Sequence, residues 1–230
     1  MKEKKNILAI IPARSGSKGI KLKNIKLFSG KPLISWTINE AKKISKIDKI
    51  IVSTDDEKIA KIARKLDVEV PFIRPKKYSK DDSPGIDVVL HALSHFKDYK
   101  YILLLQPTSP LRSKKDINGI INFMLKNNLK STVAISKVRE YPELMYKMNK
   151  EKKLIREFMK YRSFNIRQKY DALYRINGAL YMSDTNWILK NKTLVNKETF
   201  GYMMPIERSA DLDDAFDWEI AELLSRKYQK

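Results

Sequence analysis

Two groups of residues, one at each end of the chain, have the types and spacing to handle a phosphorylated substrate. Near the start, Ala13-Arg14-Ser15-Gly16-Ser17-Lys18-Gly19-Ile20 joins two glycines to Arg14 and Lys18, with Lys23 following shortly after. Glycines let backbone N–H groups approach phosphate oxygens, and cations at this density neutralise a triphosphate. The stretch is neither a Gly-x4-Gly-Lys-Ser/Thr loop nor Gly-x-Gly-x-x-Gly. On spacing alone it reads equally as a phosphate cradle or a flexible basic turn. Near the end, Asp211-Leu212-Asp213 places two carboxylates at i and i+2. In an extended segment such residues face the same side, so the pair can share a hard cation that prefers oxygen, Mg2+ or Mn2+. Such an ion would bridge triphosphate oxygens and offset charge developing at an α-phosphorus. Taken alone, Asp213, Asp214 and Asp217 also read as an acidic helix start.

Other constellations carry less. His91 and His95 stand four apart on an expected helix, a spacing that binds metal, but no third ligand lies near them in sequence. They read as ordinary helix residues. No Ser/His/Asp arrangement supports nucleophilic hydrolysis. The tyrosines, phenylalanines and methionines between positions 141 and 182 read mainly as core or subunit interface, with some left to line a sugar pocket.

Strands alternating with helices position these groups. Ile7 to Ile11 is a short, wholly apolar run of the kind found in central parallel strands. A helix is expected from Pro32, carrying Leu33, Ile34, Ile38, Ala41 and Ile44, with proline in its first turn. Lys49 to Ser53 reads as a second strand, Asp55-Asp56 as an N-cap for a helix bearing Ile59, Ile62, Ala63 and Leu66, and Val68 to Phe72 as a third strand. Further helices are expected over Ile86 to Phe96 and Asp116 to Leu125. Further strands are expected over Tyr101 to Leu105, Ser131 to Ile135, Ala179 to Met182 and about Gly201 to Ile206. A last helix covers about Ala215 to Tyr228. This alternation implies right-handed βαβ units and a mainly parallel sheet. The first loop then lies at the carboxyl edge of the first strand, where open α/β sheets bind ligands. Between about 137 and 175 the rhythm breaks into a charged, aromatic stretch, expected to be an insertion serving as a flap or dimerisation arm.

At 230 residues the chain suits a single domain with such an insertion, and it can bury a proper core. No apolar run approaches the roughly 18–20 residues of a membrane span, and Ile7 to Ile11 is too short for a signal peptide. The chain has no cysteine, which rules out disulfides and thiolate metal sites and fits a cytoplasmic protein. The net charge of +20 raises nucleic-acid binding as a reading from a different class. The basic residues are mostly lysine and spread along the whole chain, without interleaved aromatics or a nucleic-acid-binding module, so nucleic acid is not expected as a partner.

Four segments in order make the resemblance specific. Ile11 to Asn24 resembles the signature of the acylneuraminate cytidylyltransferases, or CMP-sialic acid synthetases, whose members include CMP-legionaminic and CMP-pseudaminic acid synthetases. Leu105 to Arg112, Tyr174 to Tyr181 and Ala210 to Asp213 match in sequence order, so the likeness spans nearly the whole chain. The resemblance implies a three-layer α/β/α fold like that of nucleotide-diphospho-sugar transferases. It implies CTP as co-substrate, a nine-carbon sialic-acid-type acceptor, pyrophosphate as product and a homodimer. Residue by residue, it implies that Arg14, Lys18 and Lys23 hold the CTP phosphates, with Ser17 and Asn24 near the nucleotide. Ser83 falls near cytosine or ribose, Gln106 contacts the sugar acid, and Arg167 and Arg175 contact phosphate or the sugar carboxylate. Asp211 and Asp213 bind the metal, and the general base is expected close to Asp213. The Kdo-activating relatives fit less well, because their loop usually lacks Ser-Lys-Gly. Three positions depart from the family pattern: Ser15 where glycine is usual, Lys21 where proline is common, and Ile176 within the usual Arg-Pro-Asn-Gly.

Overall fold

The computed structural model describes residues 5–17, 19–80, 83–139, 142, 145–156 and 172–228. In chain order the elements are β1 (Lys5–Ala13), a short hairpin of β2 (Leu27–Phe28) and β3 (Lys31–Pro32), α1 (Leu33–Lys42), β4 (Lys49–Thr54) and α2 (Glu57–Lys65). Then come α3 (Gly85–His95), β5 (Tyr99–Leu105), α4 (Lys114–Lys126) and β6 (Ser131–Lys137), followed by a small hairpin of β7 (Tyr146–Met148) and β8 (Leu154–Arg156). The chain ends with β9 (Tyr174–Asp184), α5 (Thr185–Asn191), β10 (Phe200–Met203) and α6 (Ala215–Tyr228).

Six strands form the central sheet in the order β10-β6-β9-β5-β1-β4. β1 pairs in parallel with β4 and β5, and β10 with β6, whereas β9 runs antiparallel to both its neighbours. The apolar run of β1 shows why three layers form. Ile7, Ala9 and Ile11 pack on one face with Ile34, Ile38, Ile59, Ile117 and Ile120 from α1, α2 and α4. Leu8 and Ile10 pack on the other with Val88, Val89 and Ala92 of α3 and Trp187 and Ile188 of α5. A strand apolar at every position has to be covered on both faces, and helices do so here.

A third apolar cluster matters more for the site. Ile20, Phe28, Leu33, Leu111, Leu212, Trp218 and Ala221 are buried together, joining the first loop, the β2–β3 hairpin and α6. Phe28 meets Trp36 and Trp218 edge-to-face, with ring centroids 5.8 and 5.5 Å away. The two chemistry-bearing ends of the chain thus share one small core.

Two expectations need correction. Val68 to Phe72 is not a strand: only isolated bridges link Ile51 to Glu69 and Thr54 to Ile73. Pro71 and Pro75 lack the N–H a ladder needs, and Asp67 turns the chain with φ of 53°. The strand expected to reach Ile206 stops at Met203, and Ile206–Arg208 form a 3-10 turn after Pro205. The stretch expected as an insertion at about 137–175 falls between β6, which runs to Lys137, and β9, which begins at Tyr174.

Candidate active site

The carboxyl ends of β1, β4 and β5 and the start of β9 meet at one edge of the sheet. Leu105, the last residue of β5, pairs with Leu180, so Arg175 to Ala179 project beyond β5 alongside Gln106-Pro107-Thr108. Here lies a cleft of about 310 Å³. One wall is the first loop, with Arg14, Gly16, Ser17, Lys23 and Asn24. A second is Arg74, Tyr78, Lys80 and Ser83, and the floor is Gln106, Pro107 and Thr108. Asp211 and Asp213 complete the lining, beside the loop. A larger cleft of about 530 Å³ at the ends of β6 and β10 sets Lys137 and Arg139 on a wall of Val138, Met203, Met204, Pro205 and Ile206. It brings no acidic or hydroxyl side chain to bear, so the smaller cleft is the one equipped for phosphate chemistry.

The acidic segment is the more tightly built. Leu212 is fully buried, and its N–H donates to the Thr108 carbonyl at 2.9 Å, which turns Asp211 and Asp213 towards the cleft on either side of it. Upstream, Arg208 makes a two-point ion pair with buried Asp116, Nε to Oδ2 at 2.8 Å and Nη2 to Oδ1 at 3.0 Å. Ser209 Oγ donates to the Pro205 carbonyl and accepts from Asn177 Nδ2 at 2.9 Å. Gly178 has φ of 75°, and a methyl group there would stand 2.8 Å from Asp211 Oδ2. Only glycine suits both that backbone and that contact.

Asp211 Oδ1 is buried and has no hydrogen-bond partner among the described residues. Burial pushes its carboxyl up from the ordinary range. A hydrogen bond with Thr108 opposes the rise, the charge of Asp213 adds to it, and Lys23 and Arg175 oppose it. A buried carboxylate with an open oxygen is a group still lacking a counter-charge. Asp213 is exposed, with Lys23 Nζ 3.6 Å from its Oδ1.

The basic loop touches the acidic segment directly. Lys23 Nζ donates to the Leu212 carbonyl at 2.5 Å. A methyl group on Gly19 would come within 2.0 Å of the Asp213 carbonyl oxygen, so the two backbones pass with no room for a side chain. Asn24 Nδ2 donates to the Arg14 carbonyl at 2.9 Å. Ser15 donates from both its N–H and its hydroxyl to the two oxygens of Asp55, each at 2.9 Å.

Of the residues singled out in the sequence, Arg14, Ser17, Lys23, Asn24, Ser83, Gln106, Asp211 and Asp213 line this one cleft. Arg175 does not line it, but stands exposed on β9 with its charge felt at Asp211. Lys18 and Arg167 lie outside the described residues. Asp56, not Asp55, caps α2, accepting from the N–H groups of Lys58 and Ile59. His91 and His95 stack with Phe72, and His91 also with Tyr78, in an aromatic cluster behind the second wall.

Arg74 is the residue that sequence reading missed. It is buried, lines the cleft and leaves one guanidinium nitrogen without a partner, with Nε donating to Ser79 Oγ at 3.0 Å. Burial pushes its guanidinium down, with Asp55 opposing and Arg14 adding. Its signal was a lone cation closing the apolar run Val70-Pro71-Phe72-Ile73. Arg112 was seen only as part of a motif. It is fully buried, bonds the carbonyls of Gln106 and Ala179 and the Thr37 hydroxyl, and its pKa is pushed down to about 10 by burial. It braces the floor of the cleft.

Fold and site together define a nucleotide-binding α/β domain, with its cleft at the carboxyl ends of parallel strands and both cations and carboxylates in its lining. Residues 8–229 match the family described as Cytidylyltransferase, and the chain belongs to that family. It is 32% identical to CMP-N,N'-diacetyllegionaminic acid synthase of Legionella pneumophila, over 97% of this chain and 98% of that protein. It is 31% identical to pseudaminic acid cytidylyltransferase of Campylobacter jejuni, over 94% of this chain and 95% of that one. It is also 31% identical to N-acylneuraminate cytidylyltransferase of Escherichia coli, over 96% of this chain but only 52% of that longer protein. Among solved structures, CMP:2-keto-3-deoxy-manno-octonic acid synthetase complexed with CTP superposes with a TM-score of 0.72 at 15% identity. It covers 96% of this chain and 99% of its own, a likeness of fold. No helix among the described residues is long and apolar enough to cross a membrane.

Proposed function

We propose that this cytidylyltransferase transfers CMP from CTP to a nine-carbon sialic-acid-type sugar and releases pyrophosphate. The observation that carries the reading is the cleft itself, a space of about 310 Å³ whose lining brings Arg14 and Lys23 together with Asp211 and Asp213. Three relatives named for activating legionaminic, sialic and pseudaminic acids, each at about 30% identity, supply the acceptor class.

The residues divide the work. Arg14 and Lys23, with Lys18 from the same loop, neutralise the triphosphate, and the loop's backbone N–H groups approach its oxygens. Ser17 and Asn24 border the nucleotide, and Ser83, beside Arg74 and Tyr78, faces the nucleoside. Gln106 and Arg175, with Arg167, orient the acceptor through its carboxylate, so that its anomeric hydroxyl approaches the α-phosphate in line. Rate enhancement comes from positioning and from fixed charge around the phosphorus, which needs no covalent intermediate.

A divalent ion fits the acidic pair. Among the described residues no third His, Asp or Glu joins Asp211 and Asp213 to complete a metal cage. Magnesium suits such a site, since it takes one or two carboxylates and completes its shell with substrate phosphates and water. Asp211 Oδ1, buried and without a hydrogen bond among the described residues, is the oxygen that a cation would satisfy. When bound, magnesium would neutralise triphosphate oxygens and charge developing at the α-phosphorus. The protein acts as a cytoplasmic homodimer, the interrupted region between β6 and β9 serving as its arm.

The test is turnover of CTP against N-acetylneuraminate, legionaminate and pseudaminate, with products identified by mass. One of these acids should give its CMP derivative with kcat/KM at least about tenfold above the others, the discrimination a few pocket contacts supply. Preference for pseudaminate is the second reading, favoured by 31% identity to the Campylobacter enzyme. The +20 charge makes one further outcome informative. Steeply salt-dependent binding of duplex or RNA, with no CTP consumed, would overturn the enzyme reading.

A further inference from the structure

We infer that Ser15 and Asp55 form a clasp that positions the phosphate-binding loop, making Asp55 a positioning residue for CTP. The inference rests on the loop's role proposed above. Ser15 N–H reaches Asp55 Oδ1 and Ser15 Oγ reaches Asp55 Oδ2, each at 2.9 Å, across 40 residues of sequence. Both residues are half-buried. A glycine at position 15 would keep the N–H bond and lose the hydroxyl one.

The placement gives the clasp its consequence. Asp55 follows directly on β4, whose last residue Thr54 pairs with Ala13 at the end of β1. Thr54 also accepts from the N–H of Arg74 at 2.7 Å. The Asp55 carboxylate thus stands where the loop wall of the cleft meets the Arg74–Ser83 wall, and its charge acts on the buried Arg74. It holds the backbone between Arg14 and Gly16 against the sheet, so that Arg14 and the amides after it face the cleft before CTP arrives. Without it, this stretch still has the Asn24 bond to the Arg14 carbonyl.

Position and counter-charge make opposite predictions. If Asp55 acted only as a negative charge near an anion site, removing it would strengthen CTP binding. If it positions the loop, removing it weakens CTP binding, and asparagine restores much of the loss. An amide can accept from the Ser15 N–H and donate to the Ser15 hydroxyl, so the geometry survives without the charge.

The experiment compares Asp55→Ala, Asp55→Asn, Ser15→Ala and Ser15→Thr. Steady-state kinetics with CTP and the acceptor are read beside calorimetric binding of CTP with magnesium and hydrogen exchange at the Ser15 amide. Asp55→Ala should raise the KM for CTP about tenfold or more, and Ser15→Ala about three- to tenfold, the loss expected for hydrogen bonds to a charged group. Acceptor KM and kcat should stay within about twofold of wild type, Asp55→Asn and Ser15→Thr should recover most of the CTP affinity, and Ser15 amide protection should disappear only in Asp55→Ala. The clasp is overturned if Asp55→Ala and Asp55→Asn both tighten CTP, if acceptor KM shifts with CTP KM, or if Ser15 amide exchange is already fast in wild type. Should Asp55→Ala fail to fold, Ser15→Ala against Ser15→Thr decides on the same KM split. If wild-type protein binds no CTP, the functional reading fails, whereas Ser15 amide protection in wild type and Asp55→Asn still decides whether the clasp exists.

Discussion

The two halves of the cleft are built differently. The acidic half is fixed at four of the five residues from Arg208 to Leu212: the Arg208–Asp116 pair, the Ser209–Asn177 bond, the Gly178 backbone against Asp211, and the Leu212 bond to Thr108. Among the described residues, the basic half is tied at points spread from Ser15 to Asn24: Ser15 on Asp55, Ile20 in the shared core, Lys23 on the Leu212 carbonyl and Asn24 on the Arg14 carbonyl. The difference follows from what each half is proposed to hold. A small divalent ion demands near-ideal ligand geometry, so its carboxylates have to be preset. A triphosphate is long and multiply charged, and flexible cations and glycine amides can close on it. Substitutions in the acidic half should therefore damage kcat, and those in the basic half should damage CTP affinity.

The largest expected effect is that of Asp211→Ala, which should lower kcat about a hundred- to a thousandfold, against a rise of only about tenfold in CTP KM from the lost magnesium coupling, measured as pyrophosphate release in saturating magnesium. If kcat stays near normal, Asp211 does not hold the metal. Gly178→Ala comes next. A methyl group in the way of Asp211 Oδ2, on a backbone at φ of 75°, should cost about ten- to a hundredfold in kcat while far-ultraviolet circular dichroism remains native.

On the basic side, Lys23→Ala should raise CTP KM about tenfold, reflecting a lost charge-assisted contact, and lower kcat much less. Equal falls in kcat and kcat/KM would erase the proposed contrast. Arg208→Ala leaves Asp116 buried without its ion-pair partner. Because Arg208 is partly exposed, the cost is put at about 1–3 kcal/mol, lowering Tm by roughly 3–10 °C in a thermal melt.

Much of this arrangement was legible in the sequence, for definite reasons. β1, β4, β5 and β6 are short apolar runs between turn-forming residues, and the helices carry strong periodicity and caps. The loop and the Asp211/Asp213 pair announced themselves by residue type, and four ordered motifs joined them. What stayed hidden depends on partners distant in the chain. Nothing near Asp55 reveals that it holds Ser15, nor anything near Asp116 that it holds Arg208, 92 residues away. The direction of β9 was also invisible, because Ala179 to Met182 is as apolar as any parallel strand here and its direction is set by pairing with β5 and β6. Arg74 escaped notice because a single arginine beside two prolines resembles a surface turn, whereas the fold buries it against the cleft.

The smallest effect concerns stability without metal. Burial raises the Asp211 pKa above its unfolded value, so the folded protein holds this proton more tightly. That stability is present below the unfolded carboxyl pKa and is lost as pH rises through the folded one. Asp211→Asn should accordingly raise Tm at neutral pH in the presence of chelator by about 2–4 °C and flatten that part of the pH profile, as seen by calorimetry.

The contrast between the halves comes to a point in the binding of CTP, measured calorimetrically with and without magnesium in wild type and in Asp211→Asn. The account predicts that magnesium strengthens CTP binding at least about tenfold in wild type, a coupling of 1.4 kcal/mol or more, and that Asp211→Asn binds metal-free CTP normally but loses this gain. Equal magnesium dependence in the two proteins would contradict it.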